Sequence, residues 1–391
     1  MAILKVDFIV GEVDRVTLSV PSDIKRIVFS DYTPHVELTE QGYEVVLGTI
    51  DKVRKLCDDQ WRGVLKWSGV LNIVYTLAPS GYMFPNMDDV ISVLQLHNIV
   101  SNVIESNRTC ADGWPYTETL FIPYLPFARQ DRNTSMKSPY SLSIFADLLN
   151  SAVFDAVVTV DVHSEVAFDL IEGLVSIPQP FLIPTDLLSS SRIGSCSNPV
   201  NVIPDKGAYK KQISEGALLS TSTHPIFNDL GIETFNILLD KKRDPTTGAI
   251  NISVAEGCFG EKQTNEIFEV GDVLEAFMFD DICDGGTTFV LGMKEFLNSK
   301  HENGTCINDL VEFKTLIVTH GIFSKDFGDL LQTFDRILTL DYNSFVDDPQ
   351  VLKEVGSTLT YHSMDFSKNR ETLDMLYGED SPFRKHLKCI D

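Results

Sequence analysis

Between Val273 and Leu297 the chain leaves little choice of local fold. Val273-Leu274-Glu275-Ala276-Phe277-Met278-Phe279 is an apolar run of strand length, the pattern of a parallel strand covered on both faces. Asp280 and Asp281 close it. A turn of small residues follows, Asp284-Gly285-Gly286-Thr287-Thr288, and then Phe289 to Leu297 with helical spacing. Strand, acidic pair, small-residue turn and helix suit a phosphorylated sugar. Glycines let backbone N–H groups close on phosphate oxygens, and the helix N-terminus adds its positive end. The two acids sit where ribose hydroxyls or a metal would lie.

The same alternation runs through most of the chain. Strand-like runs occur at 71–77, 118–124, 156–161, 200–203, 234–239, 315–319 and 336–340, with helical spacing over 88–106 and 141–151. Apolar strands alternating with helices imply an α/β chain with parallel sheets covered on both sides. Residues 1–50 differ. Asp14 to Val20 and then Tyr43-Glu44-Val45-Val46-Leu47 alternate apolar with polar side chains, which reads as a small antiparallel β element. A length of 391 residues, 43% of them hydrophobic, suffices for two cored domains. The boundary is expected just after His163.

Charge narrows the function. The chain carries 56 acidic against 32 basic residues, a net charge of −24. Nucleic acid is excluded as a partner, since neutralising its phosphates needs a basic footprint. No apolar run is long enough to span a bilayer, so no membrane partner is expected. The first residues lack a signal-peptide layout. Seven scattered cysteines with no Cys-x-x-Cys read as reduced thiols, which points to the cytoplasm.

Four further motifs carry chemistry. Pro126-Phe127-Ala128-Arg129-Gln130-Asp131-Arg132 follows a strand, where open α/β sheets place ligands. Its guanidinium groups suit a polyphosphate; an ordinary charged loop is the plainer reading. Thr159-Val160-Asp161-Val162-His163 puts a carboxylate and an imidazole on one side of a strand end. They suit Mg²⁺ directly or through water, or a solvated strand end. Pro204-Asp205-Lys206-Gly207 is a turn whose Asp205 lies near a metal or sugar, or is only a turn residue. Lys241-Lys242-Arg243-Asp244-Pro245 suits an arm that closes on a phosphoryl group, or a solvated hairpin tip.

In order and spacing these motifs resemble the ribose-phosphate diphosphokinases, the phosphoribosyl pyrophosphate (PRPP) synthetases. The family's Pro-aromatic-Ala-Arg-Gln-Asp loop matches Pro126 to Asp131, and its Thr-x-Asp-x-His matches Thr159 to His163. Its Pro-Asp-x-Gly…Arg matches Pro204 to Lys211, with Lys211 in place of Arg. Its Lys-x-Arg matches Lys241 and Arg243, its phosphosugar loop Asp280 to Thr288, and its Thr-His-Gly-Ile-Phe Thr319 to Phe323. Phe8 to Glu12 resembles an adenine-contacting Phe-x-x-Gly-Glu hairpin. The resemblance covers residues 1 to about 340 and implies two phosphoribosyltransferase-type, Rossmann-like domains. Residues 1–164 would hold the ATP site, and 165–391 the phosphosugar site and a tail.

The resemblance also implies roles. The family moves the β,γ-diphosphoryl unit of Mg-ATP to the anomeric hydroxyl of ribose 5-phosphate, giving PRPP and AMP. Phe8, Glu12, Arg129, Gln130, Asp131, Lys137 and His163 would contact ATP. Asp161, His163 and Asp205 would hold Mg²⁺. Lys241 and Arg243, with Asp205, would be catalytic. Asp280 and Asp281 would bind ribose hydroxyls, and Asp284, Gly285, Gly286, Thr287 and Thr288 the acceptor phosphate. Such a transfer needs mainly positioning and charge neutralisation. A Phe8–Glu12 hairpin reaching a neighbour's site would make a homodimer the minimum unit.

Departures from the family are specific. Gly285 stands where the phosphate loop has its first Thr, Thr287 where it has its last Gly, and Lys137 where an Arg is usual. The usual N-terminal strand–helix unit is missing or rebuilt. The segments 51–67 and 107–116 diverge, and the tail from 343 is long. These features resemble a phage-type branch associated with NAD metabolism, some of whose members use ADP-ribose as acceptor. A loop opened by Gly285 would accept a diphosphate ester, so ADP-ribose is slightly favoured over ribose 5-phosphate. Such a protein would work in the host cytoplasm. A phosphoribosyltransferase needs only the acidic loop, and a non-catalytic regulatory paralogue usually loses the metal or mobile-loop residues.

Overall fold

The computed structural model describes residues 3–10, 14–60, 71–78, 84–107, 116–133, 136–183, 198–214, 235–243, 250–254, 274–299, 306–324, 328–342 and 359–361. They fall into two compact units, divided in sequence between Ile177 and Pro178.

The first unit contains β1 (Ile3–Val10), β2 (Asp14–Ser19), β3 (Ile24–Val28), β4 (Pro34–Leu38), α1 (Glu40–Gln60), β5 (Leu71–Ala78), α2 (Met87–Asn107), β6 (Tyr116–Phe121), α3 (Ser141–Asn150), β7 (Ala156–Val160), α4 (Val166–Leu170) and β8 (Leu174–Ile177). Its main sheet has the order β2-β1-β5-β6-β7-β8. β5 to β8 are parallel neighbours, and β1 is antiparallel to both β2 and β5. β3 and β4 form a separate antiparallel pair. The expected N-terminal β element is therefore present, although part of it extends the main sheet.

Two boundaries differ from the sequence reading. Tyr43 to Leu47 is helix, inside α1. Val46, Thr49, Ile50 and Val53 are all buried, a spacing of three and four that forms one helix stripe. Five residues are too few to separate that period from alternation. The division between units falls after Ile177, and the expected break at 164 lies within the first unit. β8 pairs in parallel with β7 from Val157 to Val160, so the chain up to Ile177 belongs to the first unit's sheet.

The second unit contains β9 (Asn198–Ile203), α5 (Lys206–Ser214), β10 (Phe235–Arg243), β11 (Ile250–Val254), β12 (Leu274–Cys283), α6 (Thr287–Asn298), β13 (Val311–Gly321), α7 (Gly328–Thr333), β14 (Arg336–Tyr342) and β15 (Leu359–Tyr361). The sheet order is β11-β10-β9-β12-β13-β14-β15. Every adjacent pair is parallel except β10 with β11. Ala276 to Phe279 on β12 and Leu316 to Val318 on β13 are buried, as central strands covered on both faces must be. The structure is thus α/β with two mostly parallel sheets. Among the described residues no helix is long and apolar enough to cross a membrane.

Candidate functional site

In the first unit the candidate residues gather where β6 and β7 end side by side. Thr159 Oγ1 and Val160 N–H both donate to the Pro123 carbonyl, at 3.1 and 3.0 Å. The loop after β6 therefore starts clamped to β7. Gln130 N–H donates to the Phe127 carbonyl at 2.8 Å, and Leu142 N–H, in the first turn of α3, donates to the Gln130 carbonyl at 3.2 Å. Arg129 and Gln130 are left exposed on this frame. Asp131 accepts a 2.8 Å hydrogen bond from Ser164 Oγ, which joins this loop to the one after β7. Asp161 is buried and held by its N–H to the Ile177 carbonyl at 2.9 Å, while His163 and Lys137 are exposed.

Backbone strain marks the same loops. Phe127 has φ 62°, Asp161 φ 43° and Phe323 φ 46°, each in a candidate motif. A left-handed non-glycine residue costs roughly 1–3 kcal/mol and persists where its surroundings hold it.

The donor set of this edge suits Mg²⁺ in one way only. Mg²⁺ takes one or two protein ligands and completes its shell with water and substrate phosphates. One carboxylate and one imidazole fit that use. Among the described residues no group of three or more His, Cys, Asp or Glu side chains is placed to cage a metal.

Phe8 is not available to a nucleotide. It is fully buried, on the same face of β1 as buried Leu4, Val6 and Val10, so strand periodicity turns its ring into the core. Glu12 lies outside the described residues. Exposed aromatic side chains of the first unit include Phe168 on α4 and two in the turn between β3 and β4. Phe29 is 50% and Tyr32 85% exposed, and the Phe29 and His35 rings are 5.2 Å apart. The turn residues Ser30-Asp31 between two strand-like runs were the available signal.

In the second unit the candidates meet at the C-terminal end of β12. Asp281 N–H donates to Asp280 Oδ1 at 2.9 Å. Lys211 Nζ, on α5, donates to Asp281 Oδ2 at 2.8 Å. Lys241 Nζ, on β10, donates to Asp205 Oδ2 at 3.2 Å. The other oxygen of Asp205 accepts from Gly207 N–H at 2.9 Å and Ala208 N–H at 3.1 Å, which caps α5. Burial, and then the negative charges of Asp281 and Asp205, hold the Asp280 carboxyl well above the usual range; Lys211 opposes them.

Two side chains outside the expected set shape this edge. Lys211 stood within a recognised motif. Gln179 carried no signal in sequence. Its buried amide donates to the Asp280 carbonyl at 2.8 Å and to Thr319 Oγ1 at 2.9 Å, tying β12 to β13. Arg243 ends β10 opposite Ile250 on β11, so Lys241 to Arg243 close one arm of a hairpin whose tip, 244–249, lies outside the described residues.

The small-residue turn follows β12 directly. Gly286 has φ 71° and its carbonyl accepts from Phe289 and Val290 N–H at 3.0 and 3.1 Å, starting α6. Gly285 and Thr288 are half-buried and Thr287 is exposed. Phe323 N–H donates to the Cys283 carbonyl and Ser324 N–H to the Asp284 carbonyl, both at 3.0 Å. Ser324 Oγ also donates to Asp284 Oδ1. The segment after β13 thereby straps the turn. Gly321 makes this possible, since a Cβ there would lie 2.2 Å from Cε2 of the Phe323 ring.

Comparison with known proteins bears on this arrangement. No family model matches the chain. A ribose-phosphate pyrophosphokinase of Maricaulis maris is 30% identical over 210 residues, 53% of this chain and 55% of that protein. The chain thus spans about half the length of that relative. One of Mycoplasma pneumoniae is 26% identical over 281 residues, 70% of this chain and 72% of that protein. The crystal structure of a phosphoribosylpyrophosphate synthetase from Mycobacterium smegmatis superposes with a TM-score of 0.52 at 15% identity, covering 90% of each chain. That likeness shows the fold. In sequence the chain is thus similar to ribose-phosphate pyrophosphokinases.

Proposed function

We propose that the chain transfers the β,γ-diphosphoryl group of Mg-ATP to the anomeric hydroxyl of a ribose 5-phosphoryl acceptor. The observation that carries this reading is the end of β12. There an acidic pair, a glycine turn opening a helix and two lysine–carboxylate pairs stand together. A phosphoribosyltransferase has no use for Lys241 or for the Arg129–Asp131 loop. A regulatory paralogue has no use for the retained Asp161, His163 and Lys241.

In the proposed reaction the anomeric oxygen bonds to the β-phosphorus. The bond from that phosphorus to the α,β-bridging oxygen breaks, and AMP leaves with the electron pair. The hydroxyl proton passes to water. Arg129, Gln130 and Lys137 bind ATP, with Asp131 holding their loop. Asp161 and His163 would hold Mg²⁺, which would supply charge neutralisation on the phosphates. Lys241 and Arg243 neutralise charge on the transferring group. Asp205 keeps Lys241 at the strand end, and its second proposed role is as a metal ligand. Asp280 and Asp281 accept from ribose hydroxyls. Backbone N–H groups of Asp284 to Thr288 meet the 5-phosphoryl group. With Phe8 in the core, the adenine contact falls to another side chain, and exposed Phe29 and Tyr32 between β3 and β4 are put to the test. The reading includes a cytoplasmic homo-oligomer, dimeric at least, as the resemblance implies; with Phe8 in the core, the Phe8–Glu12 hairpin no longer supports it.

Gly285 favours ADP-ribose as the acceptor over ribose 5-phosphate. A Thr there would donate to a terminal phosphate monoester, and Gly leaves room for an ester. The test is incubation with Mg-ATP and each acceptor in turn, following AMP and the pyrophosphorylated sugar by mass. Stronger turnover of ADP-ribose, reversed by Gly285→Thr, supports the finer reading. Ribose 5-phosphate alone as acceptor replaces it with PRPP synthesis, and no AMP with either acceptor sinks the enzyme reading.

A further inference from the structure

Lys211 stands apart from every role assigned so far, and its surroundings give it one. α5 is pinned to the sheet around it. Asp205 caps the first turn through Gly207 and Ala208 N–H, and Tyr209 N–H donates to the Asp205 carbonyl at 3.0 Å. At the next residue along, Gln212 Oε1 accepts from Asn201 Nδ2 at 2.9 Å, and the same amide donates to Asn236 Oδ1 at 2.8 Å. Lys211 thus projects from a helix fixed on both sides of it in sequence. Its ammonium is 2.8 Å from Asp281 Oδ2, with the Lys211 side chain 27% and that of Asp281 5% exposed.

A side chain that deeply buried beside the Asp280 carboxyl takes its orientation from the groups that hydrogen-bond to it. Asp281 N–H is already spent on Asp280 Oδ1, so the backbone sets one member of the pair and the lysine sets the other. We propose that Lys211 is the positioning residue of the acceptor site: its ammonium holds the Asp281 carboxylate in the orientation that accepts from ribose hydroxyls. The assignment rests on the function proposed above and extends it to a side chain that need not touch the substrate.

Lys211→Met keeps the aliphatic stem and removes the charge, while Lys211→Arg keeps the charge. Calorimetric titrations of the full chain with ribose 5-phosphate and with ADP-ribose, and separately with Mg-ATP, read the effect. Lys211→Met is expected to weaken the bound acceptor about 10-fold, the scale of one charge-assisted hydrogen bond. Lys211→Arg is expected to recover most of it, with Mg-ATP affinity unchanged in both. Unaltered acceptor affinity in Lys211→Met overturns the assignment alone. Equal loss of acceptor and Mg-ATP affinity in both variants, with a lowered melting temperature, overturns it in favour of a structural role. A wild-type chain that binds neither acceptor overturns the functional reading, and the assignment with it.

Discussion

Ser164 Oγ donates to Asp131 Oδ2 at 2.8 Å, and this single bond joins two loops that are far apart in sequence. Asp131 belongs to the loop carrying exposed Arg129 and Gln130, and Ser164 to the loop carrying Asp161 and His163. Ser164 is itself buried and its hydroxyl also accepts from Val166 N–H at 3.3 Å, so it anchors Asp131 to the start of α4. Removing the hydroxyl should loosen the nucleotide loop and leave the second unit untouched. Ser164→Ala is expected to raise KM for Mg-ATP roughly 3–10-fold, the scale of one net intramolecular hydrogen bond. The acceptor KM should stay as it was. Steady-state kinetics with each substrate varied in turn checks this, and an unchanged KM for Mg-ATP would show that the clamp does not set the loop.

Phe8 and the β3–β4 aromatics should respond in opposite ways. Phe8→Ala empties a fully buried site and is expected to cost about 3–5 kcal/mol of stability. Phe29→Ala and Tyr32→Ala remove exposed rings and should shift stability by no more than about 0.5 kcal/mol. If those rings stack on adenine, each should weaken Mg-ATP binding by about 1–3 kcal/mol. Denaturant unfolding and nucleotide titration of the three variants separate the effects. Loss of nucleotide affinity on Phe8→Ala alone would argue for the β1–β2 hairpin instead.

Gly286 is required by both conformation and space. Its φ is 71°, and a Cβ there would lie 2.7 Å from Leu330 Cδ1 and 2.8 Å from Leu330 Cγ. Gly286→Ala should destabilise by about 1–2 kcal/mol from the left-handed backbone and raise the acceptor KM, since the turn must shift. Adding Leu330→Ala relieves the contact but not the backbone, so the double variant should recover only part of the loss. Full recovery would mean that crowding is the whole effect.

Glu275 makes stability depend on pH. It is fully buried at the start of β12, with Arg336 Nη2 3.5 Å away, and its Oε2 has no hydrogen-bond partner among the described residues. Burial raises its carboxyl above the usual range, and the charge of Arg336 only partly offsets this. Between the unfolded and folded values the native state holds the extra proton. Its contribution is therefore full at low pH and is lost as pH rises from about 4 upward through the folded value. Glu275→Gln should flatten that fall. Melting temperatures of both proteins across this range provide the test, and parallel curves would exclude Glu275 as the source.

Lys241 and Arg243 should affect chemistry more than binding. Replacing either by Ala is expected to lower kcat by about 10³-fold, on the scale of losing a cation from a transferring phosphoryl group. Acceptor affinity should stay within a few-fold. Single-turnover release of AMP measures this directly, and a loss confined to KM would move both residues from transition-state to ground-state binding.

What could be read from sequence here was local. The strand ending in Asp280 and Asp281, the turn at Gly285 and Gly286 and the helix after it follow from apolar periodicity and turn chemistry within 25 residues, Val273 to Leu297. The parallel α/β class followed from repetition of that unit. What depended on contacts between distant segments could not be read in this way. Tyr43 to Leu47 is too short to reveal its period, and its helix is evident only once Val46, Ile50 and Val53 meet the first core. The direction of the Phe8 ring depends on which face of β1 the sheet buries. Lys211 and Asp281 are 70 residues apart, and Gln179 and Asp280 101. Their pairing is decided by how α5 and the turn after Pro178 pack against β12, because a hydrogen bond between remote segments has a length and direction only after both backbones are in place.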